Sequence, residues 1–271
     1  MKNKPLKIWA TVLACVALGL GGTACSVEGV MEYGGTEYGG TAGLSYRRLS
    51  DDTYEVGVGL ALFEEEIVIP EKYNDKPVSA IAEEGFLAAD VEKLTVAKTI
   101  TSIGAEAFRN CSKMKEVYIE DVEAWCAISG LEHLMEGRSK DMYLQGESLK
   151  ELTLPGSVRR IPRSAFYGCE NLESVTIANG IFSIGTVAFS GCISLRSVSL
   201  PNSVISIEEG AFAYCGSLRS VSFVNTSGWS CVNNYSSSGK TVTLKSNDLK
   251  NAATAAEYLK STYSLYVWSC H

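Results

Sequence analysis

From Val78 to Phe223 the apolar residues fall into one recurring frame. Its marker is a phenylalanine, at Phe86, Phe108, Phe166, Phe189 and Phe212, with intervals of 22, 58, 23 and 23 residues. Eight residues before each Phe stands a β-branched residue (Val78, Ile100, Val158, Ile181, Val204), and five before it stands Ile81, Ile103, Ile161, Ile184 or Ile207. Cys111, Cys169, Cys192 and Cys215 each follow their Phe by three residues. Then come Met114-x-x-Val117-x-Ile119, Leu172-x-x-Val175-x-Ile177, Leu195-x-x-Val198-x-Leu200 and Leu218-x-x-Val221-x-Phe223. The first unit is one residue shorter, through Val91, Leu94 and Val96, and Leu149-x-x-Leu152-x-Leu154 restarts the frame after the long interval. Self-similarity at a fixed short period is the signature of a repeat architecture.

The spacing predicts the local structure. Val-x-Ile alternation puts two apolar side chains on one face of a short strand. Pro155 and Pro201, directly after that strand, remove a ladder donor and end the pairing there. The β-branched residue and the isoleucine three further on make a second extended segment, and Ala-Phe-x-x-Cys closes a helical turn. One such unit buries too little apolar surface to offset the entropy of ordering it. Stacked units share ladders and a continuous core, which makes the expected fold a solenoid.

Ser183-Ile184-Gly185-x-x-Ala188-Phe189-x-x-Cys192-x-x-Leu195-x-x-Val198-x-Leu200-Pro201 resembles the repeat of the BspA-like leucine-rich repeat family of bacterial surface proteins, and the resemblance covers roughly residues 44–223. Glu123-Ala124-Trp125-Cys126-Ala127-Ile128, in the long interval, is similar to an atypical tryptophan-bearing unit found inside such arrays. The resemblance implies a β-rich leucine-rich-repeat solenoid, a right-handed superhelix of short strands and turns. It also implies export and, in some relatives, adhesion or partner binding. The family has no common catalytic residues to carry over.

The domain boundaries follow. Residues 44–85 are expected to form an N-terminal cap and first coil, with strands over Thr53–Val58 and Glu65–Pro70 and a turn at Asn74–Pro77. Residues 86–223 hold the repeats, with an irregular insert at 120–148. Residues 224–271 read as a small α+β C-terminal cap. In it Thr241–Leu244 and Tyr263–Trp268 are strands, and Asn247-Asp248 caps a helix that presents Leu249, Ala252, Ala256 and Leu259 on one face.

Ahead of the repeats, Lys2, Lys4 and Lys7 precede an apolar run from Ile8 to Leu20 and small residues to Ala24. Residues 1–24 therefore read as an export signal, too short in its apolar run to span a bilayer. Gly22-Thr23-Ala24-Cys25 resembles a bacterial lipobox, in which the cysteine is acylated. It departs from that pattern at Gly22, and plain cleavage fits as well. Residues 25–43, with Glu-Tyr-Gly-Gly-Thr twice over, read as a flexible tether. The expected location is the cell envelope or surface, held by a lipid anchor.

Charge and chemistry narrow the function. The formal net charge is −7, and removal of the three lysines of residues 1–24 takes it to −10. Such a surface does not attract nucleic acid, and it reaches a membrane only through an anchor. A hydrolase needs a positioned base, and the only histidines are His133, in the insert, and His271, the last residue. The once-per-coil cysteines lack a C-x-x-C pair and read as a core ladder, so neither a metal nor another cofactor is expected. Cys231 and Cys270 lie where an exported protein can hold a disulfide. Ser238-Gly239-Lys240-Thr241 ends like a phosphate loop, but Asn234 stands where the first glycine belongs. Gly57-Val58-Gly59 lacks the third glycine of a dinucleotide fingerprint, with Leu62 in its place.

Between the buried strand positions lie Glu116 and Tyr118, Glu151 and Thr153, Ser174 and Thr176, Ser197 and Ser199, and Ser220 and Ser222. Stacking is expected to align them into two polar columns, with Lys115, Lys150, Glu173, Arg196 and Arg219 beside them and Tyr118 as the strongest single anchor. The leading function is a cell-surface adhesion scaffold for a protein or glycan ligand. The alternatives are a structural or assembly component of the envelope and, less favoured, an enzyme built from the insert and the C-terminal cap. Palmitate labelling checks the anchor: label is expected on the wild type and lost in Cys25→Ala, and equal labelling of both sinks the assignment.

Overall fold

The computed structural model describes residues 31–36, 38–233 and 241–271. The expected signal 1–24, Cys25 and residues 234–240, most of the phosphate-loop-like stretch, lie outside the described residues.

Each coil contributes a strand that buries alternate residues, as in Ser174–Ile177, where Val175 and Ile177 are inside and Ser174 and Thr176 outside. These main strands stack in two parallel blocks. Glu66–Val68, Lys93–Val96, Glu116–Ile119 and Asp141–Leu144 form the first. Glu151–Leu154, Ser174–Ile177, Ser197–Leu200 and Ser220–Phe223 form the second. Between the blocks the chain reverses at Gln145 and Gly146, both left-handed, and Glu147–Ser148 pairs antiparallel with Asp141–Leu144. A second wall of short parallel pairs runs behind, through Lys76–Ile81 and Ser102–Ile103, then Arg160–Ile161, Ser183–Ile184 and Ser206–Ile207.

The expected irregular insert is a coil of the solenoid. Its strand Asp141–Leu144 sets Met142 opposite Val117, and Ser129 bridges to Ser102 in the second wall. Helices Val122–Ala127 and Glu132–Met135 complete the circuit, burying Trp125, Leu134 and Met135 where the other coils bury Ile and Phe.

The Ala-Phe-x-x-Cys wall is not a helical turn. Two residues before and two after every marker Phe, the backbone is left-handed: Glu84 and Ala88, Glu106 and Asn110, Ser164 and Gly168, Val187 and Gly191, Gly210 and Tyr214. The reversals aim alternate amides along the solenoid axis, so Val187, Phe189 and Gly191 donate to Glu209, Ala211 and Ala213 of the next coil at 2.8–2.9 Å. A helix would bond within its own turn and leave this wall unstitched. The rings stack with it, Phe166 on Phe189 at 5.3 Å and Phe189 on Phe212 at 5.2 Å.

The thiols complete the wall. Cys111, Cys192 and Cys215 donate to the carbonyls of Phe86, Phe166 and Phe189, one repeat upstream, at 3.0–3.1 Å. Burial pushes the Cys192 thiol well up, which keeps it the protonated donor this bond needs.

At the N-terminal end, the described part of the expected tether, residues 31–36 and 38–43, belongs to the folded body. Met31–Tyr33 pairs with Ser45–Arg48, which pairs with Tyr54–Gly57, and only that strand joins the parallel wall. Stacked Tyr46 and Tyr73, 3.9 Å apart, close the core there and give the segment something to pack on. At the other end Val267–Cys270 runs antiparallel to Ser206–Ile207 and stops the parallel growth. The single expected helix is two, Ser246–Lys250 and Ala252–Glu257, because the Asn251 side chain caps the second through the amides of Ala253 and Thr254. The final strand starts at Val267, four residues later than expected.

The left-handed positions carry a stability test. An added Cβ at Gly191 meets nothing nearer than Gly168 Cα at 3.6 Å, so Gly191→Ala isolates the backbone strain. It should cost about 1–2 kcal/mol in chemical denaturation. Val187→Asn, which replaces a β-branched residue at φ 49°, should move stability the other way; the same sign for both would exclude the strain account.

Candidate binding face

The register sets which of the expected face residues meet. Glu151, Ser174, Ser197 and Ser220 form one column, and Thr153, Thr176, Ser199 and Ser222 the other. Glu116 and Tyr118 are not in these columns. They belong to the first block, where the columns run Glu66–Lys93–Glu116–Asp141 and Val68–Thr95–Tyr118–Tyr143. The expected continuous strip is thus two faces parted by the hairpin at 144–147. Beside the second face run Lys150, Glu173, Arg196 and Arg219, with Arg196 3.2 Å from Glu173; Lys115 lies in the first block and pairs with Glu92 at 3.0 Å.

The two faces differ in chemistry. The second offers short hydroxyls. The first is charged and aromatic: Lys93 reaches Glu66 at 3.1 Å and Glu116 at 4.0 Å. Tyr118 stacks on Tyr143 with ring centroids 4.5 Å apart and planes 11° from parallel. The Tyr118 hydroxyl donates to Glu116 Oε2 at 2.6 Å, and that bond, ahead of burial, holds its pKa up at about 12. Burial, then Glu170 and Glu116, hold the Asp141 carboxyl above its usual range. Tyr143 and Asp141 were hidden in the supposed insert. Their signal was the apolar pair Met142-x-Leu144, 25 residues after Val117-x-Ile119.

Beside Tyr118 lies an open cleft of about 610 Å³ lined by Thr95, Lys98, Tyr118, Glu120, Asp121 and Gln145 among others. A second cleft, of about 420 Å³, sits on the turn wall and includes His133, Glu136 and Lys140. His133 Nδ1 accepts from the Glu106 amide at 3.4 Å, and His271 lies 3.2 Å from Ser269 Oγ. Among the described residues no group of three or more His, Cys, Asp or Glu is placed to hold a metal ion. Cys231 and Cys270 are free thiols: Cys231 faces Trp268 and Cys270 faces Trp229 across the strand pair, so the two cysteines are two residues out of register.

Lys140 is the buried cation of the second cleft. Its Nζ donates to Met135 O at 3.0 Å and Arg138 O at 2.7 Å. Burial pushes its pKa down to about 8.

The fold and this face define a leucine-rich-repeat scaffold that presents strand surfaces. Six copies of the BspA type Leucine rich repeat region match residues 65–124 and 139–257. The chain belongs to that family. Among solved structures it is similar to the T. pallidum leucine rich repeat protein, at 24% identity over 67% of this chain and 69% of that one, with a TM-score of 0.36. It is also similar to a leucine rich cell surface protein from Faecalibacterium prausnitzii (21% identity, 67% and 75% of the chains, TM-score 0.27). The pneumococcal vaccine antigen PcpA matches at 14% identity, over 74% and 83%, with a TM-score of 0.31. No curated protein matches. Among the described residues no helix is long and apolar enough to cross a membrane.

The Lys140 amine makes a linkage prediction. The folded state releases its proton near pH 8 and the unfolded chain near 10.5, so the burial cost is fully present below pH 8 and is relieved as pH rises between those values. The neutral amine keeps two N–H groups, enough for both carbonyls. The stability difference between wild type and Lys140→Met should move toward the wild type by roughly 3 kcal/mol from pH 8 to 10.5; a flat difference in urea titrations would falsify the assignment.

Proposed function

We propose that the chain is a surface-held binding scaffold that grips protein or glycan partners along its main-strand faces, with no chemistry of its own. The observation that supports this is the register of the second block. Ser174, Ser197 and Ser220, and Thr176, Ser199 and Ser222, recur at one strand spacing, about 4.8 Å, on an exposed sheet. Short hydroxyls both donate and accept, and they lose little rotamer freedom when a partner orders them. A partner therefore meets several weak, evenly spaced contacts on a rigid support, where affinity depends on preorganisation more than on any single group.

Export and lipid attachment at Cys25 complete the proposal. They rest on the basic, apolar and small-residue order of residues 1–25 and on what the family resemblance implies. With a net charge of −7, anionic polymers are poor partners.

The test is an array of host-matrix proteins and glycans probed with the full chain and with the triple variant Thr176→Arg, Ser199→Arg, Ser222→Arg. The variant should bind at least about tenfold more weakly at an unchanged melting temperature, because bulky charges on an exposed strand block contact without touching the core. Silence of the wild type, with only envelope proteins recovered by crosslinking, favours the structural-component reading.

A further inference from the structure

The first block carries a feature that hydroxyl columns do not explain. Tyr118 and Tyr143 occupy neighbouring positions of one outward column and stack on each other. Tyr143 covers one face of the Tyr118 ring. The other face looks toward Thr95, the preceding residue of the column, whose small side chain leaves the cleft open above it. The Tyr118 ring is held on both counts, by the stack and by its hydroxyl bond to Glu116. A planar apolar surface is thus fixed in place before any ligand arrives.

Around that ring the cleft is polar. Lys98 supplies an ammonium, Gln145 an amide, and Glu120 and Asp121 carboxylates; Ile119, the apolar residue of the lining, is buried in the core. Lys98 is shared with Glu71 at 2.8 Å and Glu120 at 3.8 Å, and Gln145 Nε2 donates to Glu120 O at 3.2 Å. Carboxylate and amide oxygens accept from hydroxyls, amide and ammonium hydrogens donate to them, and an aromatic face takes the C–H side of a saturated ring. The acids outnumber the bases, which opposes a polyanion. A protein hot spot would need a deeper apolar pocket than this lining provides.

We propose that this cleft is a carbohydrate subsite in which one neutral hexose ring of a glycan stacks on the open face of Tyr118, with its hydroxyls met by Glu120, Asp121, Gln145 and Lys98. It rests on the reading of the strand face as a binding surface and names the ligand class for the first block. The cleft volume of about 610 Å³ lies in the range of small-ligand sites. Tyr143 acts as a positioning residue, bracing Tyr118 from behind.

Calorimetric titration and saturation-transfer NMR of the full chain would use cellohexaose, mannohexaose and chitohexaose, with heparin as the polyanion. At least one neutral hexasaccharide should bind saturably, its ring C–H protons receiving the transferred signal, and heparin should not. Tyr118→Ala should weaken that binding at least about tenfold, and Tyr118→Phe, which keeps the face, only a few-fold. Thr95→Arg lays a guanidinium over the ring and should weaken binding as Tyr118→Ala does, which covers the case in which the alanine variant misfolds. Binding unchanged in Thr95→Arg, preference for heparin, or no binding of the three neutral glycans would each overturn the subsite. The triple arginine variant of the second block separates the two readings. Protein partners lost by that variant, with no neutral glycan bound by the wild type, would sink the subsite and leave the scaffold standing.

Discussion

Inter-coil hydrogen bonding is the constraint from which the rest of this molecule follows. A regular coil of the solenoid has no helix to satisfy its own peptides, so its walls must send N–H and C=O groups along the axis to the next coil. Two walls do this with ordinary parallel strands. The third must turn a corner at the same time, and does so by flipping to left-handed backbone on either side of each Phe. That solution costs strain at Glu84, Glu106, Ser164 and Val187, where no glycine relieves it. At Phe86, Phe166 and Phe189 it gives three axial bonds and fixes the ring where it stacks on its neighbour, so strain, stitching and core packing are one arrangement.

The seam between the two blocks shows what happens where that stitching is interrupted. Side chains take over from backbone. Asn171 accepts from Met142 N at 3.1 Å and donates to Met142 O at 2.6 Å, imitating a neighbouring strand. Trp125 Nε1 reaches Ala165 O at 2.8 Å, and Ser157 and Ser164 donate to Glu123 and Glu136. Lys140, held inside by two carbonyls, lies at the same boundary, its backbone bonded to Gly168 and Glu170. No buried side-chain nitrogen or oxygen among the described residues lacks a partner. An irregular coil is accommodated because polar side chains stand in for ladder bonds at this boundary.

Legibility in the sequence followed the same division. Phe, Ile and Val repeat because each packs against its apolar counterpart one coil away, so the register of the regular coils could be read from spacing. The left-handed wall could not, since glycine stands at only Gly168, Gly191 and Gly210 of its ten left-handed positions, with Glu, Ala, Asn, Ser, Val and Tyr at the rest. The insert escaped for a related reason. Its coil replaces Phe with Leu134 and Met135 on a helix, and only Met142-x-Leu144 keeps the frame. The supposed single strip across ten residues assumed that Glu116 was followed in space by Glu151. In fact Asp141 and Tyr143 stand between, and with them the aromatic pair that gives the first block its own chemistry.

That pair is placed by the same physics that limits it. A large ring on an exposed parallel strand is held only if its neighbours in the column support it, and hydroxyl columns such as Thr176–Ser199–Ser222 offer no such support. The last strand of the first block does, since Tyr143 stacks on Tyr118 while the hairpin behind it ends the column at Ser148. On the other side Thr95 is too small to close the stack. One braced face therefore stays open, beside polar groups carried by the turn after Ile119 and by the hairpin itself. The irregular coil that breaks the repeat is what supplies both the brace and half of the cleft, so the departure from periodicity and the most distinctive surface of the molecule have one cause.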